Sequence, residues 1–471
     1  MEEHAKSSTI RDLTQGPLVR QLLLFALPIM GANLLQSLYT LVDLWAVGNF
    51  ASEAAISAVA NSGQIVFLIH AVGIGLDNGG QVLISQQVGA KDFRRLSTTI
   101  GTLLSFCVLS STVIAAIGAV GTNWWMDLLH IPPEARASAV SYLLICCLGA
   151  PFMAASGTLC AILRGVGDSK RPMFILLASA LSNMILDMWF VAGLGWGAAG
   201  AAWATIIAQA VGSFYALYCV YRRREDLGFD FRLSSFRIHG PTLKVILKLG
   251  TPLVIMSASI TISMMVVNSF VNTFGVAASN VTGIGAKLNS LVSVVTSSMQ
   301  TAVGSMVAQN FAAGRIDRVK KVNAVSNLVC ILFFAVVGTV SFLFPEQIIG
   351  IFTQATDTGT LALATPYMRA AFWLYLAFCL MATSLGHING VGFTTLNLVI
   401  AVLDGVIGRI GLSLLFGLAL DWGVEGFWWG NSLAAFISVF MGLGYYFFGH
   451  WEKRELRLKD TEEKETALGP A

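Results

Sequence analysis

The sequence predicts an all-α, polytopic membrane protein with twelve transmembrane helices in two pseudo-symmetric six-helix bundles. Three observations lead to this fold class. The 471 residues are 55% hydrophobic and 12% charged, and their mean hydropathy of +0.72 lies outside the range of water-soluble globular chains. The apolar residues form separate stretches that are long enough to span a membrane, for which a helix needs ~20 residues. Finally, features of the first six stretches recur in the last six.

The apolar stretches are joined by polar connections, and several exceed the minimum length, so we expect some helices to tilt or protrude. In order, the stretches are 18–47, 55–86, 95–120, 136–158, 172–192, 196–221, 243–272, 280–309, 320–344, 361–386, 396–418 and 424–448. The first seventeen residues are polar and lead directly into a full-length apolar stretch, unlike a cleavable signal peptide. We therefore expect the first helix to be retained.

Basic residues are concentrated in alternate connections. They are Lys91, Arg94 and Arg95; Arg164, Lys170 and Arg171; Arg222, Arg223 and Arg224 through Lys248; Arg315, Arg318, Lys320 and Lys321; and Lys453 to Lys459. Connections rich in Lys and Arg remain in the cytoplasm, and the opposite connections are mostly acidic. We therefore expect both termini in the cytoplasm. Because no soluble domain surrounds these basic residues, they do not indicate nucleic-acid binding.

An internal repeat with an offset near 225 residues relates the two halves. The segment GPLVRQLLLFALP (16–28) parallels GPTLKVILKLGTP (240–252). Three further pairs follow in the same order: SQQVGA (85–90) with AQNFAA (308–313), RGVGDS (164–169) with NGVGFT (389–394), and GWGAAGAAWAT (195–205) with DWGVEGFWWGN (421–431). Six helices in each half place both halves in the same orientation, as in transporters that bind substrate between parallel repeats.

The repeat defines the domain organisation. We expect an N-terminal six-helix lobe at 1–221, a basic cytoplasmic linker at 222–242, a C-terminal six-helix lobe at 243–448 and a charged cytoplasmic tail at 449–471. Pro28 and Pro252 occupy equivalent positions in the first and seventh helices. Each removes a backbone donor and favours a kink, which a helix bundle could simply tolerate or use as a gating bend.

Polar residues in three helices of the N-terminal half are expected in one layer. Asn183 and Asp187 are four residues apart and share a face of the fifth helix. Asp43 in the first helix and Thr205 in the sixth lie at a similar depth, at 1.5 Å per residue. An ionised carboxylate at this depth is costly, so a proton or a cation should neutralise it. These four residues predict a coupling-ion site for Na⁺ or H⁺; the alternative is that they only tie helices together by hydrogen bonds.

The acids of this layer are not repeated in the C-terminal half. The counterparts of Asp43, Asp187 and Thr205 are about Val267, Ser413 and Asn431, so the ion site is predicted in one half only.

Other charged or polarizable residues are candidates for a substrate cavity or for structural pairing. They are Asp77, Met264, Met265, Lys287, Arg369, Trp373, Asp404 and Arg409. In a regular helix Asp404 and Arg409 would be about 140° apart, so we expect each to pair with another helix. Asp77 is expected near the inner vestibule. Met264, Met265 and Trp373 could form an adaptable cavity wall or face lipid.

At these residues the chain resembles the multidrug and toxic compound extrusion (MATE) transporters over essentially its whole length. Five segments carry the resemblance, in order: LPIMGANLLQSLYTLVDLWAVG, LISQQVGAKDFRRL, ILRGVGDSKRPM, NMILDMWF and MVAQNFAAGRIDRVKK. It implies twelve helices in two lobes, alternating access, and export of organic cations or other amphipaths in exchange for Na⁺ or H⁺. It also implies a monomer in the inner membrane of a prokaryote, whose partners are membrane lipids and a small amphipathic substrate, with no cofactor beyond the coupling ion.

The resemblance also implies which residues bind the ion. In prokaryotic members that couple through the N-terminal lobe, the positions matching Asp43, Asn183, Asp187 and Thr205 form the cation site, which is a metal site if the ion is Na⁺. Another branch uses acids in the seventh and tenth helices. Here TISMMVVNSFVNTF and AAFWLYLAFCLMATSLG contain none, which disfavours coupling through the C-terminal lobe.

Two other functions fit parts of the sequence. A flippase for lipid-linked saccharides of the same fold would favour a basic cavity, for which Lys287 and Arg409 are candidates, whereas the ion cluster argues against it. An intramembrane aspartyl protease would use the string GVGD (165–168), but the chain has no Tyr-Asp dipeptide, and Asp168 is predicted in a basic cytoplasmic loop. No nucleotide-binding motif is present, which excludes direct use of ATP. We therefore expect a transporter rather than an enzyme.

Overall fold

The computed structural model describes residues 12–128, 131–353 and 357–454. Over these residues the regular structure is entirely helical, and twelve helices are long and apolar enough to cross a membrane. Both the all-α fold class and the number of predicted spanning segments are therefore confirmed.

The spanning helices are labelled α1 to α12 in chain order. They are α1 (Leu18–Phe50), α2 (Glu53–Gly89), α3 (Phe93–Val120), α4 (Pro133–Gly165), α5 (Lys170–Asp187), α6 (Gly197–Tyr221), α7 (Gly240–Asn272), α8 (Val276–Ala312), α9 (Ile316–Leu343), α10 (Ala364–Gly390), α11 (Thr395–Ala419) and α12 (Gly423–Phe448). Short helices at Thr122–Leu128, Pro345–Gly350 and Thr358–Ala362 lie in the connections.

Several helices extend beyond the apolar stretches of the sequence. For example, α8 starts four residues before the predicted 280–309 and ends three after it. The last turns of α2 and α8 contain Gln86, Gln87, Gln309 and Asn310, all of which are buried. Because these polar residues pack inside the protein, they do not end the helix, and hydropathy alone predicts the segments too short.

Contacts divide the chain into two compact units, each of which is described separately. Among the described residues, the N-terminal unit contains 12–13 and 27–251, and the C-terminal unit contains 14–26 and 252–454. The two changes of unit within helices fall beside Pro28 in α1 and at Pro252 in α7. The first part of each of these helices thus belongs to a different unit from the rest of the same helix.

The even-numbered helices pack extensively against one another in both units. In the N-terminal unit α4 packs against α2 and α6, and in the C-terminal unit α10 packs against α8 and α12, while α12 also packs along α11. Leu143 and Ala201 are fully buried in the first core, and Val281 and Ala370 in the second. Within the N-terminal unit, α2 and the first part of α7 meet at Gly79 and Gly250, where a Cβ on Gly79 would lie 2.6 Å from the backbone nitrogen of Gly250.

The helices α5 and α11 depart from regular α geometry. After Asp187, α5 continues as a π-helix at Met188–Gly193. Two π-helical segments interrupt α11, at Ala401–Gly408 and Leu415–Ala419. A π-helix uses i→i+5 hydrogen bonds and occurs frequently at functional sites, so these segments direct attention to the polar residues beside them.

Candidate functional site

The fifth helix contributes two buried polar side chains to the N-terminal unit. Asn183 and Asp187 are fully buried, and their spacing of four residues places them on one face of α5. Neither the amide nitrogen nor the amide oxygen of Asn183 has a hydrogen-bond partner among the described residues. A buried amide without partners is costly in an apolar environment, so this arrangement favours a bound ligand at Asn183.

Thr205 of α6 and Tyr39 of α1 contact each other in the same unit. Thr205 is buried, and the Tyr39 hydroxyl donates a hydrogen bond to its Oγ1 at 3.2 Å. Asp43 follows Tyr39 one turn later in α1, but its side chain lies outside the described residues. The predicted role of Asp43 in the ion site therefore rests on its position in the sequence alone.

A small cavity adjoins these residues in the N-terminal unit. Its volume is about 10 Å³, and Gln36, Tyr39, Ser179 and Gln209 are among the residues that line it. This is close to the smallest volume that holds a water molecule. Asn183 follows Ser179 by one turn of α5, so the cavity and the buried amide belong to one polar layer.

Sequence reasoning missed Gln36, Tyr39, Ser179 and Gln209, although the signal was present. Gln36, Tyr39 and Asp43 follow one another at helical spacing, as do Ser179, Asn183 and Asp187. Thr205 and Gln209 are likewise four residues apart. Each of three helices thus presents a row of polar residues on one face, and the three rows are more informative than any single residue.

The arrangement is suited to binding a proton or a hard cation. It combines a buried carboxylate at Asp187, an amide oxygen at Asn183 and the Thr205 hydroxyl, and oxygen ligands of these kinds suit hard cations. The described residues contain no group of three His, Cys, Asp or Glu side chains that could hold a metal. Among the described side chains, Asp187 thus supplies a carboxylate and Asn183 and Thr205 supply neutral oxygens.

Asp77 belongs to a separate polar cluster in the N-terminal unit. It lies in α2 with an exposed fraction of 8%, and the Thr158 hydroxyl of α4 donates to its Oδ1 at 2.6 Å. One turn along α2, Gln81 accepts a hydrogen bond from Arg164 at 2.9 Å. A Cβ on Gly157 would lie 3.0 Å from Asp77 Oδ2. Asp77 therefore ties α2 to α4 and is not part of the layer around Asn183.

In the C-terminal unit, the expectation that Asp404 and Arg409 cannot pair with each other was wrong. Arg409 Nε lies 3.0 Å from Asp404 Oδ1, and both side chains are almost fully buried. The π-helix Ala401–Gly408 explains the contact. Its i→i+5 winding places residues five apart on one face, whereas a regular helix would separate them by about 140°.

This ion pair is held by residues of α12. The Ser438 hydroxyl donates to Asp404 Oδ2, and Arg409 donates to Asn431 Oδ1 at 2.8 Å. Arg409 also lies 3.7 Å from the sulfur of Met264. Met264 and Asn431 line a cavity of about 30 Å³ that also contacts Asn289, Tyr367 and Trp428. The C-terminal unit thus has its own polar site, built around a neutralised charge pair.

The remaining residues predicted for a substrate cavity are exposed, and none of them has a hydrogen bond or ion pair with Asp404 or Arg409 in the described part of the chain. Met265 and Trp373 have exposed fractions of 63% and 42%, and Lys287 and Arg369 are also exposed. Trp373 packs edge-on against Phe372. Of the eight candidates, the structure brings together only Met264, Asp404 and Arg409.

A comparison with protein families identifies the chain. The sequence profile of the MatE family matches twice, at residues 28–189 and 252–413. The two matches cover more than half of the sequence. The chain belongs to the MatE family.

The double match also supports the internal repeat. The two matched segments begin at Pro28 and Pro252, which the sequence pairs across the halves, and end at Trp189 and Ser413. The first contains Asp43, Asn183 and Asp187, and the second contains Asp404 and Arg409. Both polar sites therefore lie largely within segments that are typical of MatE proteins.

Relatives with full-length similarity have printed names that refer to drug export. The chain is 29% identical over 444 residues to a probable multidrug resistance protein, YoeA of Bacillus subtilis, covering 93% of this chain and 95% of that protein. It is 26% identical to the multidrug export protein MepA of Staphylococcus haemolyticus, covering 91% and 93%. These similarities confirm the predicted MATE relationship and a transporter rather than an enzyme.

A solved structure shows the same fold. It is described as the outward-facing conformation of a multidrug resistance MATE family transporter of the MOP superfamily. The TM-score is 0.86 at 21% identity, with coverage of 96% of this chain and 100% of that one. Together with the twelve apolar helices, this similarity establishes a multi-pass membrane protein of the MATE fold.

Proposed function

We propose that this chain is a secondary antiporter that exports amphipathic organic compounds, mainly cations, in exchange for Na⁺ or H⁺ by alternating access. Relatives named as multidrug resistance or export proteins support the export of several compounds. The single observation that carries the ion coupling is the buried Asn183, whose amide has no hydrogen-bond partner within the described part of the chain, one turn from the buried Asp187.

The chemistry of coupling follows from the cost of a buried charge. An ionised Asp187 within the membrane is unfavourable without a counter-charge, so the site is stable with a bound proton or cation. Asn183 and Thr205 would supply neutral oxygens to a cation, and Asp43 a second carboxylate. The ion and the substrate then favour different states of the transporter, so each lowers the affinity for the other by the same factor.

The flippase function loses part of its support in the C-terminal unit. Arg409 was one of the basic groups that could bind a phosphate there, but Asp404 neutralises its charge. Lys287 and Arg369 are exposed rather than grouped with it. We therefore propose drug export over lipid flipping.

We further propose that the protein is a monomer in the inner membrane of a prokaryote, with both termini in the cytoplasm. The basic connections 91–95, 164–171 and 222–248 support this orientation. The seven native cysteines are buried, so an introduced cysteine can be labelled selectively. A membrane-impermeant maleimide should label Glu225→Cys only after permeabilisation and Asn123→Cys in intact cells. The reverse pattern would contradict the proposed orientation.

The proposed coupling is tested by dye efflux from proteoliposomes under separately imposed Na⁺ and pH gradients. The gradient that drives efflux in the unmodified protein identifies the coupling ion. The double variant Asp43→Asn, Asp187→Asn should show no gradient-driven efflux, while its melting temperature stays near that of the unmodified protein. Efflux by this double variant at the normal rate would rule out the N-terminal site as the coupling site.

A further inference from the structure

A polar cleft lies on the N-terminal unit, away from the residues proposed for transport. It has a volume of about 500 Å³ and opens between the beginning of α3 and the connection from α6 to α7. Ser97 and Thr98 of α3 line one side, and Ser234, Arg237 and His239 line the other. No carboxylate is among the described residues that line it. The cleft therefore presents hydrogen-bond donors and positive charge.

The connection is held firmly against α3, so the cleft is a formed site. The Ser105 hydroxyl donates to the Phe236 carbonyl at 2.7 Å, and the His239 backbone N–H donates to the Thr102 hydroxyl at 3.2 Å. A Cβ on Gly101 would lie only 1.8 Å from the Ser235 carbonyl oxygen, so the two backbones are in direct contact. Phe229, which is itself part of the connection, is buried and contacts the ring of Phe236.

The polar groups of the cleft are available to a ligand. Within the part of the chain that the structure describes, the side chains of Ser97, Thr98, Ser234 and Arg237 make no hydrogen bond or ion pair. His239 uses Nδ1 to contact the Thr242 hydroxyl at 2.9 Å, which leaves Nε2. Several donors around an arginine match the acceptor oxygens of a phosphate, which arginine binds in a bidentate manner.

The acid that contacts Ser235, a residue lining the cleft, is already engaged. The Ser235 hydroxyl donates to Asp230, and Arg232 lies 3.3 Å from the same carboxylate. Chiefly through the Ser235 hydrogen bond, the pKa of Asp230 is held below its usual value. Its negative charge is thus stabilised by its own partners.

We propose that this cleft binds a phosphate group, either as free phosphate or as the headgroup of an anionic phospholipid. Leu233 stands beside the cleft with an exposed fraction of 93%, and an exposed leucine next to a phosphate site suits an acyl chain. The proposal goes beyond the transport function and does not depend on it.

The test measures binding to the purified, delipidated full-length protein with three probes. These are inorganic phosphate, short-chain phosphatidylglycerol and short-chain phosphatidylcholine. The variant Arg237→Gln should weaken the binding of phosphate and of phosphatidylglycerol about tenfold or more, because a charged hydrogen-bond donor is lost. The matched control is Arg232→Gln, which removes the same charge from the same connection outside the cleft and should weaken binding less than about threefold.

Leu233→Ser distinguishes the two sources of the phosphate. If the ligand is a lipid, this variant weakens binding of phosphatidylglycerol but not of phosphate, and phosphatidylglycerol binds better than phosphatidylcholine. If the ligand is free phosphate, Leu233→Ser changes neither affinity and the lipid has no advantage. Both results support a phosphate site.

Two results would overturn the proposal: no binding of any probe to the unmodified protein, or equal losses in Arg237→Gln and Arg232→Gln. If Arg237→Gln lowers the melting temperature, the double variant Ser97→Ala, Thr98→Val replaces it. This variant removes two neutral donors and should weaken phosphate binding about threefold to tenfold. Unchanged binding in a stable Ser97→Ala, Thr98→Val variant would equally count against the site.

Discussion

The two units carry different polar residues at equivalent positions. In the N-terminal unit, Asp187 and Thr205 are buried beside an amide that has no partner among the described residues. At the matching positions of the C-terminal unit, the Ser413 hydroxyl donates to the Phe427 carbonyl at 3.3 Å, and Asn431 accepts a hydrogen bond from Arg409. The side chains at these two positions thus have partners within the C-terminal unit.

The π-helices of α5 and α11 also differ in which charged residues they contain or bring together. The π-helix of α5 begins immediately after Asp187, and its own residues, Met188–Gly193, include no basic side chain. The first π-helix of α11, Ala401–Gly408, contains Asp404 and places the Arg409 side chain against the Asp404 carboxylate. The C-terminal unit thus supplies the counter-charge of its buried carboxylate from its own chain, whereas the counter-charge that we propose for Asp187 is an exchangeable ion. The comparison therefore predicts that substitutions in the first unit affect ion coupling and those in the second affect stability.

The largest expected effect is that of Asp187→Asn. We expect gradient-driven efflux to fall to the background of protein-free vesicles, because the neutral isostere has no charge for the ion to balance. The melting temperature should change little, since the amide has the same size. The matched substitution in the other unit is Asp404→Asn, which should retain efflux at a permissive temperature but melt earlier. If Asp404→Asn lost coupling while Asp187→Asn kept it, the comparison would be reversed.

The next effect in size is that of Arg409→Met. Without its partner, Asp404 becomes an uncompensated buried charge, which costs about 3–5 kcal/mol of stability. Thermal unfolding can be followed with a thiol-reactive dye, because the native cysteines are buried. The double variant Asp404→Leu, Arg409→Met should regain most of the loss, since apolar residues often replace a buried pair without cost. If the double variant recovered no stability, the pair would contribute to folding in some way beyond cancelling its own buried charges.

A smaller effect is expected for Asn183→Ala. The substitution removes one neutral oxygen ligand, worth about 1 kcal/mol, or roughly fivefold in ion affinity. Ion affinity can be measured from the ion concentration that gives half-maximal efflux. The melting temperature should stay the same or rise, because an amide without partners is removed from an apolar site. A clear drop in melting temperature with unchanged ion affinity would assign Asn183 a structural role.

The smallest effect is expected for Tyr39→Phe. The variant removes the hydroxyl that donates to Thr205 and should weaken ion affinity about twofold to fivefold, the usual effect of one neutral hydrogen bond. The matched control is Tyr367→Phe, which removes the hydroxyl that accepts from Asn289 at 3.3 Å in the C-terminal unit. This control should leave ion affinity unchanged. Equal shifts in both variants would mean that tyrosine hydroxyls act through general packing.

The sequence by itself determined the fold class, the twelve helices and the repeat. These features depend on length and polarity, because a lipid environment permits only segments that satisfy their own backbone hydrogen bonds. It also indicated Asn183, Asp187 and Thr205, since i, i+4 spacing places residues on one face of a regular helix. The helix ends were less accurate, because buried glutamines such as Gln86 and Gln309 lower the hydropathy of a helix without ending it.

Only the tertiary structure decided how the other polar residues are paired. The contact of Tyr39 with Thr205 joins residues that are 166 positions apart, and no local pattern encodes such a distance. The pairing of Asp404 with Arg409 depends on a π-helical turn, which shifts each following residue around the helix axis relative to regular α geometry. Sequence spacing assumes an unbroken α-helix, so it failed where the winding changes, which is beside the charged residues themselves.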